Sequence, residues 1–183
     1  WLDKLPPAWE LVIQATERGL NAPLASGAGR IFDTVAALLG ICTQVTYEGQ
    51  AASELEQAAT GRTGEVLPYQ IEPGVPLQLD MQPALAALCE RLRQGVPVGQ
   101  LAADFHATFA QAIVAMVKRI SQETGITTAA LGGGVWQNMI LLHEVCGLLA
   151  QAGIKVLLSS QVPVNDGGIA FGQAIVAGER SRW

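Results

Sequence analysis

From residue 126 onward the chain alternates short apolar runs with longer stretches of helical period. "GITTAAL" and "IKVLL" are brief, β-branched and apolar, whereas "NMILLHEVCGLLAQAG" and "DGGIAFGQAIVAG" repeat apolar positions at steps of three and four. The pattern predicts a strand over 126–131, a helix over 137–151, a strand over 154–158, a loop over 159–165 and a helix over 166–178. Such alternation implies parallel strands, with ligands bound beyond their carboxyl ends. Upstream, "VPVGQLAADFHATFAQAIVAMVKRISQETG" predicts the longest helix, with Leu101, Phe105, Phe109, Ile113, Met116 and Ile120 forming one core face. "QPALAALCERLRQG" carries a proline in its first turn and a glycine at its end, the start and stop of another helix. Residues 66–80 hold two short extended pieces around Pro73-Gly74, a hairpin expected on the sheet edge. Residues 8–60 read as helical throughout. The predicted class is α/β with a helical N-terminal portion, divided into a helical segment 1–65 and an α/β lobe 66–183.

Composition changes this picture in one respect. Half of the residues are hydrophobic, 15% are charged and mean hydropathy is +0.30. That surplus implies apolar surface covered by another domain or chain, or else a densely packed core. A net charge of −5 argues against a nucleic-acid partner, which would need clustered Lys and Arg. No apolar run approaches a membrane span, and "WLDKLPPAWE" lacks the basic-then-apolar pattern of an export signal. Cys42, Cys89 and Cys146 are widely spaced in apolar helical contexts and read as reduced core thiols, consistent with a cytoplasmic protein. A first residue that is Trp suggests a longer parent polypeptide.

Candidate chemistry gathers at the turns. "LGGGVWQN" sets Gly132, Gly133 and Gly134 between a strand and a helix. Bare backbone amides at a helix start suit a phosphate, though the same glycines also allow a helix to pack closely on a strand. Neither a GKS/GKT sequence nor G-x-G-x-x-G is present. Asn138 falls in the first turn, where its amide can reach a ligand or cap the helix. In "NDGG", Asp166 can be an N-cap or a metal ligand. In "SGAGRIFDTVAALLG", Asp33 can hold ribose hydroxyls or complement a helix dipole. His106 falls near Ile113 and Val117 and reads as a core-flank histidine, while His143 lies on a polar helix side with Gly147 and Gln151.

Taken in order, "SGAGRIFDTVAALLG", "TYEGQAASELE", "ADFHATFA", "LGGGVWQN" and "VPVNDGGIAFGQA" closely resemble the C-terminal lobe of the HypF carbamoyltransferase family, which matures [NiFe]-hydrogenases. Enzymes that make threonylcarbamoyladenosine in tRNA share this lobe, and their nucleotide-contacting Asn and metal-binding Asp are similar in position to Asn138 and Asp166. The "TYEGQAA" stretch favours the HypF branch. The resemblance implies an actin-like ATPase (ASKHA, ribonuclease-H-like) fold that closes on ATP or carbamoyl-adenylate. It implies carbamoyl transfer to the C-terminal cysteine of the partner HypE, the carbamoyl group coming from carbamoyl phosphate. By the same resemblance Gly132, Gly133, Gly134 and Asn138 would face the phosphates, Asp33 the ribose, Gly49 the nucleotide, and Asp166 a divalent metal. That metal is expected to be iron or zinc, completed by histidines outside this chain, with Mg accompanying the nucleotide. The upstream lobes of such an enzyme would be further partners. A kinase or O-carbamoyltransferase of the same fold, or a non-catalytic docking lobe, are the competing readings.

Overall fold

The computed structural model describes residues 8–181. The N-terminal stretch read for export signals therefore lies, over residues 1–7, outside the described residues. Helices α1 (Trp9–Glu17), α2 (Ala28–Leu38) and α3 (Gln50–Ala59) come first, but residues 18–27 and 39–49 between them are not helical, so 8–60 is three helices rather than helical throughout. Next is a hairpin of β1 (Gln70–Glu72) and β2 (Gln78–Asp80), then α4 (Gln82–Arg93) and the 27-residue α5 (Val98–Thr124). The chain then runs through β3 (Thr128–Leu131), α6 (Met139–Gln151), β4 (Lys155–Leu158) and α7 (Ile169–Arg180). Two short 3₁₀ turns, Gly134–Gln137 and Asp166–Gly168, precede α6 and α7, so each helix begins later than its apolar period suggests.

β3 and β4 pair in parallel, with Thr128 opposite Lys155 and Leu131 opposite Leu158. The hairpin does not extend this sheet. β1 and β2 pair only with each other, antiparallel, and the hairpin lies against α5 through β1. The reason is upstream, where residues 63–69 run extended along α5. There Glu65 N donates to Asp104 Oδ1 and Leu67 N to Thr108 Oγ1, both at 2.8 Å. Gly64 makes this approach possible, because a Cβ on it would stand 2.1 Å from the carbonyl oxygen of Ala103. Asp104 is fully buried and ion-pairs with Arg91 of α4 at 3.1 Å, so one carboxylate joins the strap, α4 and α5.

The expected one-sided face of α5 is also revised. Residues 101–110 are buried all the way round, whereas Met116 is only partly covered and Ile120 is exposed. The first half of the helix is wrapped by α2, α3, α4 and α6, and the second half runs out beyond them. Phe32 of α2 anchors the centre, edge-on to Phe105 (4.9 Å) and Phe109 (5.5 Å). One hydrophobic cluster takes in Phe32, Leu55, Leu101, Leu141 and Leu149, so α2 and α3 share a core with the elements after residue 66. α1 and α7 bury no residue. The apolar surplus appears there as exposed Leu11, Val12, Phe171 and Ile175, and on β4 as exposed Leu157 and Leu158. Among the described residues no helix is long and apolar enough to cross a membrane. Cys42, Cys89 and Cys146 are free thiols, and Cys42 lies just beyond α2 rather than on a helix.

Candidate functional site

The turn after β3 and the loop after β4 open on the same edge, as parallel strands require. They are tied together, since Gly133 N donates to the carbonyl of Val164 at 2.7 Å. Gly133 has φ +105°, a conformation that an L side chain rarely adopts, so the glycine is demanded by the turn itself. Facing this edge are the second turn of α2 and the start of α3, where Gly49, at φ +82°, swings the chain into the helix.

Between these pieces lies a cavity of about 450 Å³. Asp33, Gly49, Gly134, Asn138 and Asp166 line it, bringing together five residues singled out from separate stretches of sequence. Gly132 and Gly133 do not line it, and the Gly133 amide is already committed to Val164. The expected cradle of three glycines is therefore reduced at the cavity wall to Gly134.

The start of α6 differs from the expectation as well. A helix N-terminus attracts anions through its unpaired amides and its dipole. Here the protein supplies the anion, for Met139 N and Ile140 N donate to Glu56 Oε1 of α3 at 2.6 and 3.3 Å. Leu141 N donates to Asn138 Oδ1 at 2.9 Å, so Asn138 caps the helix as well as bordering the cavity. Its Nδ2 lies 2.9 Å from His106 Nε2, and His106 Nδ1 lies 2.7 Å from the carbonyl of Ala102. His106 is wholly enclosed, edge-on to Phe32 and Phe105. Burial holds its pKa below the ordinary histidine value, against the opposing pull of the Ala102 hydrogen bond and the Glu56 charge.

At the second turn the N-cap is Asn165, whose Oδ1 accepts from Gly167 N at 3.1 Å. The capping role considered for Asp166 thus belongs to its neighbour. Asp166 is an exposed first-turn residue at the cavity wall. Asp33 pairs with Arg30, one turn back, at 2.9 Å. Glu48 and Glu56 complete the charged lining, which sets four carboxylates against the single guanidinium of Arg30. Glu56, Asn165 and the His106–Asn138 bond were not legible as site features, because each depends on contacts between distant parts of the chain or on a one-residue shift of a cap.

Among the described residues no three His, Cys, Asp or Glu side chains gather where a metal ion could be held. His106 has both ring nitrogens engaged, and His143 is exposed on α6 and does not line the cavity. Asp166 can thus offer one hard oxygen ligand, but these residues do not complete a metal site.

Residues 2–173 match the family model described as "Carbamoyltransferase, Kae1-like Domain, second subdomain". The chain is 41% identical over 178 residues to Carbamoyltransferase HypF of Rhodobacter capsulatus, covering 96% of this chain and 23% of that protein. It is 37% identical over 204 residues to Carbamoyltransferase HypF2 of Cupriavidus necator, covering 96% and 24%. A crystal structure of full-length HypF in a phosphate- and nucleotide-bound form superposes with TM-score 0.92 at 33% identity, over 97% of this chain and 24% of that one. The chain therefore spans about a quarter of the length of the relatives it matches.

Proposed function

Because the chain belongs to the HypF carbamoyltransferase family, as the second subdomain of its Kae1-like domain, we propose that its cavity holds the nucleotide moiety of ATP or carbamoyl-adenylate during carbamoyl transfer. The observation that carries this reading is the meeting of Asp33, Gly49, Gly134, Asn138 and Asp166 around one cavity at the carboxyl end of a parallel strand pair. In the reaction so proposed, the acceptor thiol sulfur bonds to the carbamoyl carbon. The bond from that carbon to the adenylate oxygen breaks, AMP leaves with its electron pair, and the thiol proton passes to solvent. The acceptor is the C-terminal cysteine of HypE, as the family resemblance implies.

The roles of the chain's own residues follow from their placement. Gly134, lacking a side chain, lets phosphate oxygens approach the turn. Asp33 accepts hydrogen bonds from ribose hydroxyls while Arg30 holds it in place. Asn138 contributes a polar amide at the wall, and Gly49 opens the side nearest α3. Asp166 would provide one ligand of an iron or zinc ion whose remaining ligands lie outside these residues.

The charge balance imposes a further condition. Carboxylates outnumber the single arginine along the wall, with Glu56 held by the α6 amides and Asp33 by Arg30, and this balance favours a nucleotide that arrives with a divalent cation. Titration calorimetry on the intact protein tests both points. ATP should bind in the presence of Mg²⁺ and lose at least tenfold in affinity when EDTA removes it. Gly134→Ala is the informative variant, because its Cβ would meet only the Asn165 Cβ, at 3.8 Å, so the fold should tolerate the methyl group while nucleotide affinity falls. An intact protein that binds no ATP with Mg²⁺ would leave the docking-lobe reading in its place.

A further inference from the structure

We infer that His106 is a positioning residue, which fixes the amide of Asn138 so that the cavity is offered a hydrogen-bond donor and the ligand atom recognised there is an acceptor. The inference rests on the nucleotide reading above and names how one residue of that site is oriented.

Each link in the chain of contacts determines the next. A backbone N–H can only donate, so the atom 2.9 Å from Leu141 N must be the Asn138 carbonyl oxygen. The other end of the amide is then the NH₂ group, and it faces His106 Nε2 at 2.9 Å. Nε2 must accept, which places the ring proton on Nδ1, where the carbonyl of Ala102 receives it at 2.7 Å. Both ring nitrogens are used, and the ring cannot turn freely between Phe32 and Phe105. One N–H of the Asn138 amide is thereby spent on His106, the second is left unspent, and Asn138 borders the cavity, so that second N–H is assigned to the ligand. Phosphate oxygens and ribose or adenine acceptor atoms suit that donor, whereas a ligand hydroxyl could serve only through its lone pairs.

Protonation of His106 would reverse this arrangement. A proton on Nε2 turns an acceptor into a donor opposite an NH₂ group, and the amide cannot flip to meet it without abandoning the α6 cap. Burial opposes that protonation, while the Glu56 charge and the Ala102 carbonyl favour it. Glu56 of α3 is the charged group acting on it, while Phe32 of α2, Asn138 at the start of α6 and the Ala102 carbonyl of its own helix carry no charge. Burial keeps the neutral form dominant at neutral pH.

The test compares the wild type with His106→Gln, which can still accept from Asn138, and His106→Leu, which cannot. Mg²⁺–ATP dissociation constants of the intact protein are measured from pH 7.5 down to pH 5, with denaturation midpoints for each variant alongside. Expected are near-wild-type affinity for His106→Gln and at least a tenfold loss for His106→Leu at pH 7.5. The wild type should weaken on acidification more than either variant, whose remaining pH dependence is that of the nucleotide and the other cavity groups. Long-range ¹H–¹⁵N spectra of the wild type should show the Nδ1–H tautomer without any nucleotide, so this measurement stands even if His106→Leu does not fold. Equal affinity for both variants, or an acid limb as steep in His106→Gln as in the wild type, overturns the inference while leaving the nucleotide reading intact. An Nε2–H tautomer also overturns it. A wild type that binds no nucleotide removes both, and the Gly134→Ala comparison identifies that case.

Discussion

At the scale of single residues, the sharpest separation is between Asn165 and Asp166. Adjacent in sequence, they divide two jobs that either could have done. Asn165 caps the turn through Gly167 N, and Asp166 is left with an exposed carboxylate at the cavity wall. Asn165→Ala should therefore cost about 1 kcal/mol of stability, as loss of a cap does. Asp166→Asn, a substitution at an exposed position that caps nothing, should stay within about 0.5 kcal/mol of the wild type. If Asp166 is a ligand, the same Asp166→Asn change should strip metal from the intact protein, because a neutral amide is a poor ligand for a divalent ion. Metal content by mass spectrometry, read beside the denaturation midpoint, decides it. Full metal occupancy in the variant would remove Asp166 from the ligand set. In sequence, a carboxylate before two glycines reads as a cap, and only the 3₁₀ geometry of Asp166–Gly168 moves the cap back by one.

At the scale of elements, α6 depends on α3. The first two amides of α6 end on a carboxylate supplied from 83 and 84 residues upstream, and the third ends on its own cap. Glu56→Ala leaves two donors at a positive helix end without their anion and should destabilise the protein by about 1–3 kcal/mol. Glu56→Gln, which keeps an acceptor, should recover part of that loss. Urea midpoints for the two variants give the comparison, and identical values would mean that water replaces Glu56 without cost. The helices, the two parallel strands and the hairpin turn were legible in the sequence, since apolar period and turn residues are local signals. The hairpin's separation from the sheet was not, because it follows from Asp104 and Thr108 capturing the preceding strap from the far side of α5. For the same reason Asp33, Gly49, Gly134, Asn138 and Asp166 could be nominated from turn chemistry and family resemblance, whereas Glu56 lies mid-helix in "QAASELEQAA" with nothing local to mark it.

At the scale of the whole molecule, the high hydropathy has a location. The first buried half of α5 absorbs part of it, and the rest is displayed on α1, β4 and α7. These faces suit packing against other parts of a multidomain transferase, given that the matched relatives are about four times longer. The 183-residue chain in isolation should accordingly bind a hydrophobic dye, and do so less after Leu11→Glu and Phe171→Glu together. A chain that stays strictly monomeric and binds no dye would show that those residues are simply scattered surface hydrophobes. The bond from Gly133 N to the Val164 carbonyl has a mechanical consequence at this scale. It pins the ends of two separate strand–helix connections to each other, so neither can be displaced alone. The turn after β3 and the stretch leading to Asp166 therefore hold their spacing through this bond, and a shift of one away from the other has to break it.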